Sequence, residues 1–222
     1  MKFAAPPLPA DESEQRRLEA LLGDRPRWLA ASTHAGEEAL VARVHQALAS
    51  DHGGLLTIIV PRHPGRGAVI ATELSALGLT VARRSLDQAI TEGTQIYLAD
   101  TLGELGLFYR LSAITLIGKS IVGQGGQNPL EPARLHSALI MGPHMDNFED
   151  ITASLKEAEA CVGVSDETTL AQAVSRLLAD PVERNRMTAV AAKIAATEDG
   201  VLDAVIDQIL PFLTAGDSHA GA

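Results

Sequence analysis

Five polar segments of this 222-residue chain hold residue types that bind small anions, and each follows a short apolar run. They are "STHAGEE" (32–38), "PRHPGR" (61–66), "DTLGEL" (100–105), "GQGGQNPLEPAR" (123–134) and "GPHMDN" (142–147). Arg62 offers a planar fork that clamps a phosphate or a carboxylate. Ser32 reads as an N-cap, His34 stands near a helix start, and Glu37 and Glu38 suit the positive end of a helix dipole. In the fourth segment Asn128 reads as an N-cap, Pro129 as the first helical residue and Glu131 as the third, a variant of the capping box. Gly125 and Gly126 would let backbone approach a ligand, and free N–H groups at a helix start attract anions. A purely structural cap accounts for the same residues, so the local pattern leaves cap and ligand site both open. Pro132 is an anomaly in it, because proline forfeits an intrahelical bond. Glu104 and Glu131 are candidate acid groups by position alone.

Other chemistries fit poorly. "LIGKS" (116–120) looks like a phosphate loop, but G-x-x-x-x-G-K-S needs glycine at 113 and the residue is Ala113. His34, His63, His144 and Asp146 lack the close spacing of metal ligands, so no metal is expected. Cys161 opens an apolar run and reads as a small hydrophobe rather than a nucleophile. As the one cysteine, it permits no intramolecular disulfide, which fits a reducing compartment. A net charge of -10 argues against a nucleic-acid partner, and 3% aromatic content leaves little for base stacking. The opening "MKFAAPPLPADESEQRR" has no apolar signal core, and no run of about 18 apolar residues offers a membrane span.

These segments need a scaffold, and the apolar runs supply one. Strands are predicted at 27–32, 55–60, 80–84, 95–99, 113–118, 137–142 and 161–164. Helices are predicted at 36–50, 68–78, 103–112, 147–159, 166–179, 181–197 and 200–214, with another starting in the fourth polar segment. Runs such as "LLTIIV" are continuously apolar, so both faces should be buried. Strand–helix alternation predicts an α/β fold with a doubly wound, Rossmann-like parallel sheet. Ligands in such sheets bind beyond the carboxyl ends of the strands, where the five polar segments fall. Residues 1–13 read as a linker or arm, 14–214 as the folded domain and 215–222 as a tail.

Taken in order, "AASTHAGEE", "IIVPRHPGR", "LADTLGELGLFY", "GGQNPLEPA" and "GPHMDNFEDI" resemble the 3-deoxy-D-manno-octulosonic acid (Kdo) transferases of lipopolysaccharide synthesis. The resemblance runs from about Lys2 to the last helices and matches the carboxyl-terminal half of such an enzyme. It implies the carboxyl-terminal domain of a GT-B glycosyltransferase, binding the donor CMP-Kdo without a cofactor. It also implies that an amino-terminal domain holds the lipid A precursor, the membrane-associated surface and the catalytic carboxylate. "KFAAPP" is similar to the family's interdomain linker. The intact enzyme would work at the cytoplasmic face of the bacterial inner membrane; this chain alone would be soluble and transfer nothing.

By the same resemblance Pro61 and Arg62 would contact the CMP phosphate, and Leu102, Gly103 and Glu104 would lie beside the nucleotide. Gly125, Gly126 and the turn Asn128, Pro129, Leu130 and Glu131 would bind phosphate and ribose, with Glu131 on the ribose hydroxyls. Ser32 and His34 would face the Kdo unit. Lys119 departs from the family, where a small residue, commonly glycine, is expected. Two other readings fit the scaffold: half of a UDP-dependent GT-B enzyme, or a non-enzymatic Rossmann-like ligand-binding module.

Overall fold

The computed structural model describes the backbone of residues 6–214 and the side chains of residues 6–198. The apolar runs become seven strands: β1 (Arg27–Thr33), β2 (Leu56–Pro61), β3 (Val81–Arg83), β4 (Ile96–Leu98), β5 (Ile114–Ile117), β6 (Ala138–Met141) and β7 (Cys161–Gly163). All pair in parallel, in the order β3-β4-β2-β1-β5-β6-β7. Among the described residues eight α-helices cover the sheet: α1 (Glu12–Leu22), α2 (Glu37–Leu48), α3 (Gly67–Ala76), α4 (Leu105–Leu111), α5 (Leu130–Arg134), α6 (Glu149–Glu157), α7 (Glu167–Ala179) and α8 (Pro181–Thr214).

Alternate residues of each strand feed opposite layers, as a pleated strand demands. From β1, Trp28 and Ala30 enter the core shared with α2, α3 and α7, while Leu29 and Ala31 enter the core shared with α1 and α4. From β6, Ala138 and Ile140 join the first core, and Leu139 and Met141 join a third beneath α5, α6 and α8. Burial on both faces is why these runs carry no polar alternation.

Two elements differ from the sequence reading. α1 was not expected, because "ESEQRRLEALL" is mostly polar. Its helix rests on an Asp11 cap that accepts the N–H groups of Ser13 and Glu14, and on Leu18 and Leu22, four residues apart and both buried. The arm expected over 1–13 therefore gives way to helix at Glu12, and Leu8 and Ala10 before it already pack on the core. The two helices predicted at 181–197 and 200–214 are one, α8. Gly200 costs a helix about 1 kcal/mol relative to alanine but keeps its N–H, so it does not end one. The tail expected at 215–222 lies outside the described residues.

Strand order reverses between β1 and β5, and there the backbones nearly touch. Gly118 donates its N–H to Ala31 O at 2.8 Å, and a Cβ on Gly118 would stand 2.2 Å from Ser32 O. The β1–β2 register shifts between Ala31 and Thr33, which puts Ser32 at φ 56°. Ser32 is thus a buried bulge residue and not the N-cap predicted for α2; that cap is Gly36, which has no side chain to accept an N–H.

Two glutamates at the start of α2 fasten this junction. Glu37 is 1% exposed and accepts backbone N–H groups from His34 (2.9 Å), Lys119 (2.7 Å), Ser120 (3.2 Å) and Ile121 (3.4 Å). Glu38 accepts the Thr33 hydroxyl at 3.0 Å and both ends of the Arg66 guanidinium at 2.8 and 3.1 Å. The segments after β1, β2 and β5 are therefore tied to one helix start.

Two outcomes follow from this packing. Replacing Glu37 by alanine would leave four convergent donors without their anion and cost about 2–4 kcal/mol. Denaturant titration checks this, and millimolar formate should restore part of the loss; an unchanged midpoint would contradict it. His45 is 1% exposed, with Nδ1 2.8 Å from Thr57 Oγ1, and burial pushes its ring down to about 4. The unfolded chain, near 6.5, then binds more protons than the folded one between those values, so stability rises with pH across that window. The span is worth about 3 kcal/mol, and unfolding curves for His45→Gln between pH 4 and 7 should lose that slope.

Candidate functional site

Three strand ends frame one crevice at the β1–β5 junction. His34 follows β1, Arg62 and His63 follow β2, Lys119 follows β5, and the loop 123–129 leads into α5. Arg62 N–H donates to Thr33 O at 2.9 Å, which holds the turn after β2 against the end of β1. Pro61, the last residue of β2, pairs in register with Thr33. The His34 and His63 rings meet edge to face with centroids 5.8 Å apart. Gln127 Nε2 lies 3.2 Å from His34 Nε2, so the loop before α5 reaches the same ring. Burial lowers the His34 pKa, and the charges of Lys119 and His63 lower it further, so the neutral ring is favoured.

The Asn-Pro turn is built much as its sequence suggests, one residue out of step. α5 begins at Leu130, whose N–H donates to Asn128 Oδ1 at 3.0 Å. The capping box does not close, because Glu131 Oε1 faces Asn128 Nδ2 at 3.4 Å instead of a backbone N–H. Burial raises the Glu131 pKa, with Asn128, Arg134 and Arg62 pulling it back. Pro132 ceases to be an anomaly, since the third residue of a helix has no carbonyl four residues earlier inside it. α5 is only five residues long, so any donor atoms it offers are local N–H groups more than a dipole.

Gly125 and Gly126 have a different task from the one expected. Both have positive φ, at 104° and 64°. A Cβ on Gly126 would stand 2.5 Å from Met145 Sδ, and one on Gly125 would stand 2.4 Å from Asn147 Nδ2. Their bare α-carbons press against the segment after β6, not outward to a ligand. Gly125 N–H donates to Asp146 Oδ2 at 3.0 Å, and Gly126 N–H to Lys119 O at 3.1 Å.

Leu102, Gly103 and Glu104 stand apart, after β4 and two strands from β1. Leu102 is 83% exposed, and Gly103 has φ 81°. Glu104 is held by Arg84 at 3.0 and 2.5 Å and by the Thr101 hydroxyl, and the Arg84 guanidinium keeps its carboxyl below the usual range. A groove of about 760 Å³ runs past Glu104, Arg84, Glu14 and Tyr97, but Arg84 already pairs with both glutamates there. Its charges are spent within the protein, whereas no ion pair of Arg62 or Lys119 occurs among the described residues.

Sequence reasoning missed the reach of Glu37 and Glu38 and the approach of Gln127 to His34. Glutamates after a strand-end glycine read as dipole partners, and nothing in their spacing announces a contact with residue 119.

No family model matches the chain. Its sequence is 38% identical over 191 residues to the 3-deoxy-D-manno-octulosonic acid transferase of Haemophilus influenzae, covering 86% of this chain and 45% of that protein. It is likewise 38% identical over 170 residues to a probable mitochondrial 3-deoxy-D-manno-octulosonic acid transferase of Arabidopsis thaliana, covering 75% of this chain and 38% of that one. The chain thus spans less than half the length of these relatives. Among solved structures, the C-terminal CMP-Kdo binding domain of WaaA from Acinetobacter baumannii superposes with a TM-score of 0.78 at 33% identity, covering 82% of this chain and 96% of that one. An α,α-trehalose 6-phosphate synthase of Burkholderia multivorans shares the fold at a TM-score of 0.61 and 13% identity. With the sheet order, the order of its strand-end motifs and a relative that it covers almost completely, the chain belongs to the 3-deoxy-D-manno-octulosonic acid transferase family.

Proposed function

We propose that this chain is the donor-binding half of an inverting glycosyltransferase that moves Kdo from CMP-Kdo to a lipid A precursor. The observation that carries this reading is the convergence of Arg62, His34 and the Asn128–Glu131 turn on one crevice, in a chain 33% identical to a domain described as CMP-Kdo binding. Arg62 holds the nucleotide phosphate in this reading and stabilises its charge as CMP departs. Asn128, Pro129, Leu130 and Glu131 form the turn against the ribose, with the Glu131 carboxylate as the acceptor for sugar hydroxyls. Since no capping box occupies that carboxylate, it is available for this role. Neutral His34 and the backbone around Ser32 face the Kdo unit.

The attacking hydroxyl needs a base, but Glu37 is engaged by backbone N–H groups and Glu38 by Arg66, and Glu131 is assigned to the sugar hydroxyls. The base and the lipid A acceptor site then belong to residues outside this chain, and the intact enzyme works at the cytoplasmic face of the inner membrane. Among the described residues no helix is long and apolar enough to cross a membrane.

Calorimetric titration with CMP, UMP and UDP tests the donor class. CMP should bind most tightly, and Arg62→Ala should weaken it about 10–100-fold. Tighter uridine nucleotide binding would assign the chain to a UDP-dependent enzyme, and no nucleotide binding would favour a non-enzymatic module. Incubated alone with CMP-Kdo and a lipid A precursor, the chain should transfer no Kdo, and measurable product would contradict the placement of the base.

A further inference from the structure

Lys119 has a backbone conformation that lysine disfavours. Its φ is 57°, in the left-handed region where a Cβ crowds the following carbonyl. Two contacts hold it there: its N–H donates to Glu37 at 2.7 Å, and its carbonyl accepts from Gly126 at 3.1 Å. Glycine would meet the same geometry without strain. Yet this position has a half-buried cation at the end of β5, beside His34. Its charge is felt at the His34 ring, as are those of His63 and Arg62. Among the described residues, no carboxylate forms an ion pair with its ammonium, whereas Arg66, Arg83 and Arg84 around the same strand ends are all paired. A strained lysine, gripped from both sides of its backbone, persists only where its surroundings over-determine it.

We infer that Lys119 is a binding residue, its ammonium meeting an anionic group of the donor across the crevice from Arg62. The inference rests on the donor-binding reading above and deepens it. The donor carries two such groups, a phosphate and a sugar-acid carboxylate, and an ammonium suits either as a point charge. Glu37 is then a positioning residue for Lys119, since it fixes the N–H of the lysine it precedes across the junction.

Two variants test it. Lys119→Gly removes strain and charge together. Lys119→Asn removes the charge but keeps a residue that tolerates the left-handed conformation. Both should melt no lower than the native chain, yet bind the anion about tenfold more weakly at low salt, with the difference shrinking as salt is raised. Titration with CMP, cytidine and free Kdo separates the sources. A loss for CMP but not cytidine assigns the phosphate; a loss for Kdo alone assigns the carboxylate. Unchanged affinity for both CMP and Kdo in the asparagine variant would overturn the inference, even if the glycine variant binds more weakly, because loop freedom would then be the cause. Failure of the native chain to bind either ligand would instead sink the donor-binding reading.

Discussion

The site depends on one buried carboxylate. Glu37 sits at 1% exposure where β1 and β5 meet, and four backbone N–H groups point at it from two loops. A buried charge is tolerated only when it is well hydrogen-bonded, and convergent N–H groups are tolerated only when they hold an anion. Each requirement meets the other here. Burial raises the Glu37 pKa and the donated N–H groups oppose the rise, so the carboxylate and its nest are balanced against each other. In phosphate-binding loops the ligand supplies the anion; in this one the protein supplies it. The loop after β5 therefore has its shape before any ligand arrives, which lowers the ordering cost of binding.

Everything around the crevice adapts to that junction. Gly118 lacks a side chain because Ser32 O would occupy its place, and Ser32 bulges because the β1 register shifts there. Glu38 and Arg66 hold the turn after β2, so Arg62 is presented from a braced segment. Gly125 and Gly126 let the next loop lie flat on the segment after β6, which sends Gln127 toward His34. The chain is acidic overall, at -10, yet Arg62, Lys119, His34 and His63 gather at these strand ends.

Much of this was legible in the sequence, for physical reasons that differ by element. Continuous apolar runs such as "LLTIIV" can be strands only if both faces are covered, and that fixed the doubly wound class. The polar segments following those runs then marked the ligand edge without any contact being known. α1 escaped because its two buried leucines are diluted by charge, and helix patterns need more than two apolar residues to stand out. Gly125 and Gly126 were noticed for the right residue type and the wrong neighbour: a sequence shows that backbone comes close to something, not to what. The reach of Glu37 to residue 119 is a tertiary contact across 82 positions, and no local rule contains it.

The central claim is that donor recognition occurs at the β1–β5 crevice and not in the groove beside α1. An amide chemical-shift map recorded during CMP titration addresses it most directly. The account predicts the largest shifts at His34, Arg62, Lys119 and Gly126 to Glu131, with Glu14, Arg84 and Glu104 nearly still. Shifts concentrated at Glu14, Arg84 and Glu104, with the crevice silent, would contradict it.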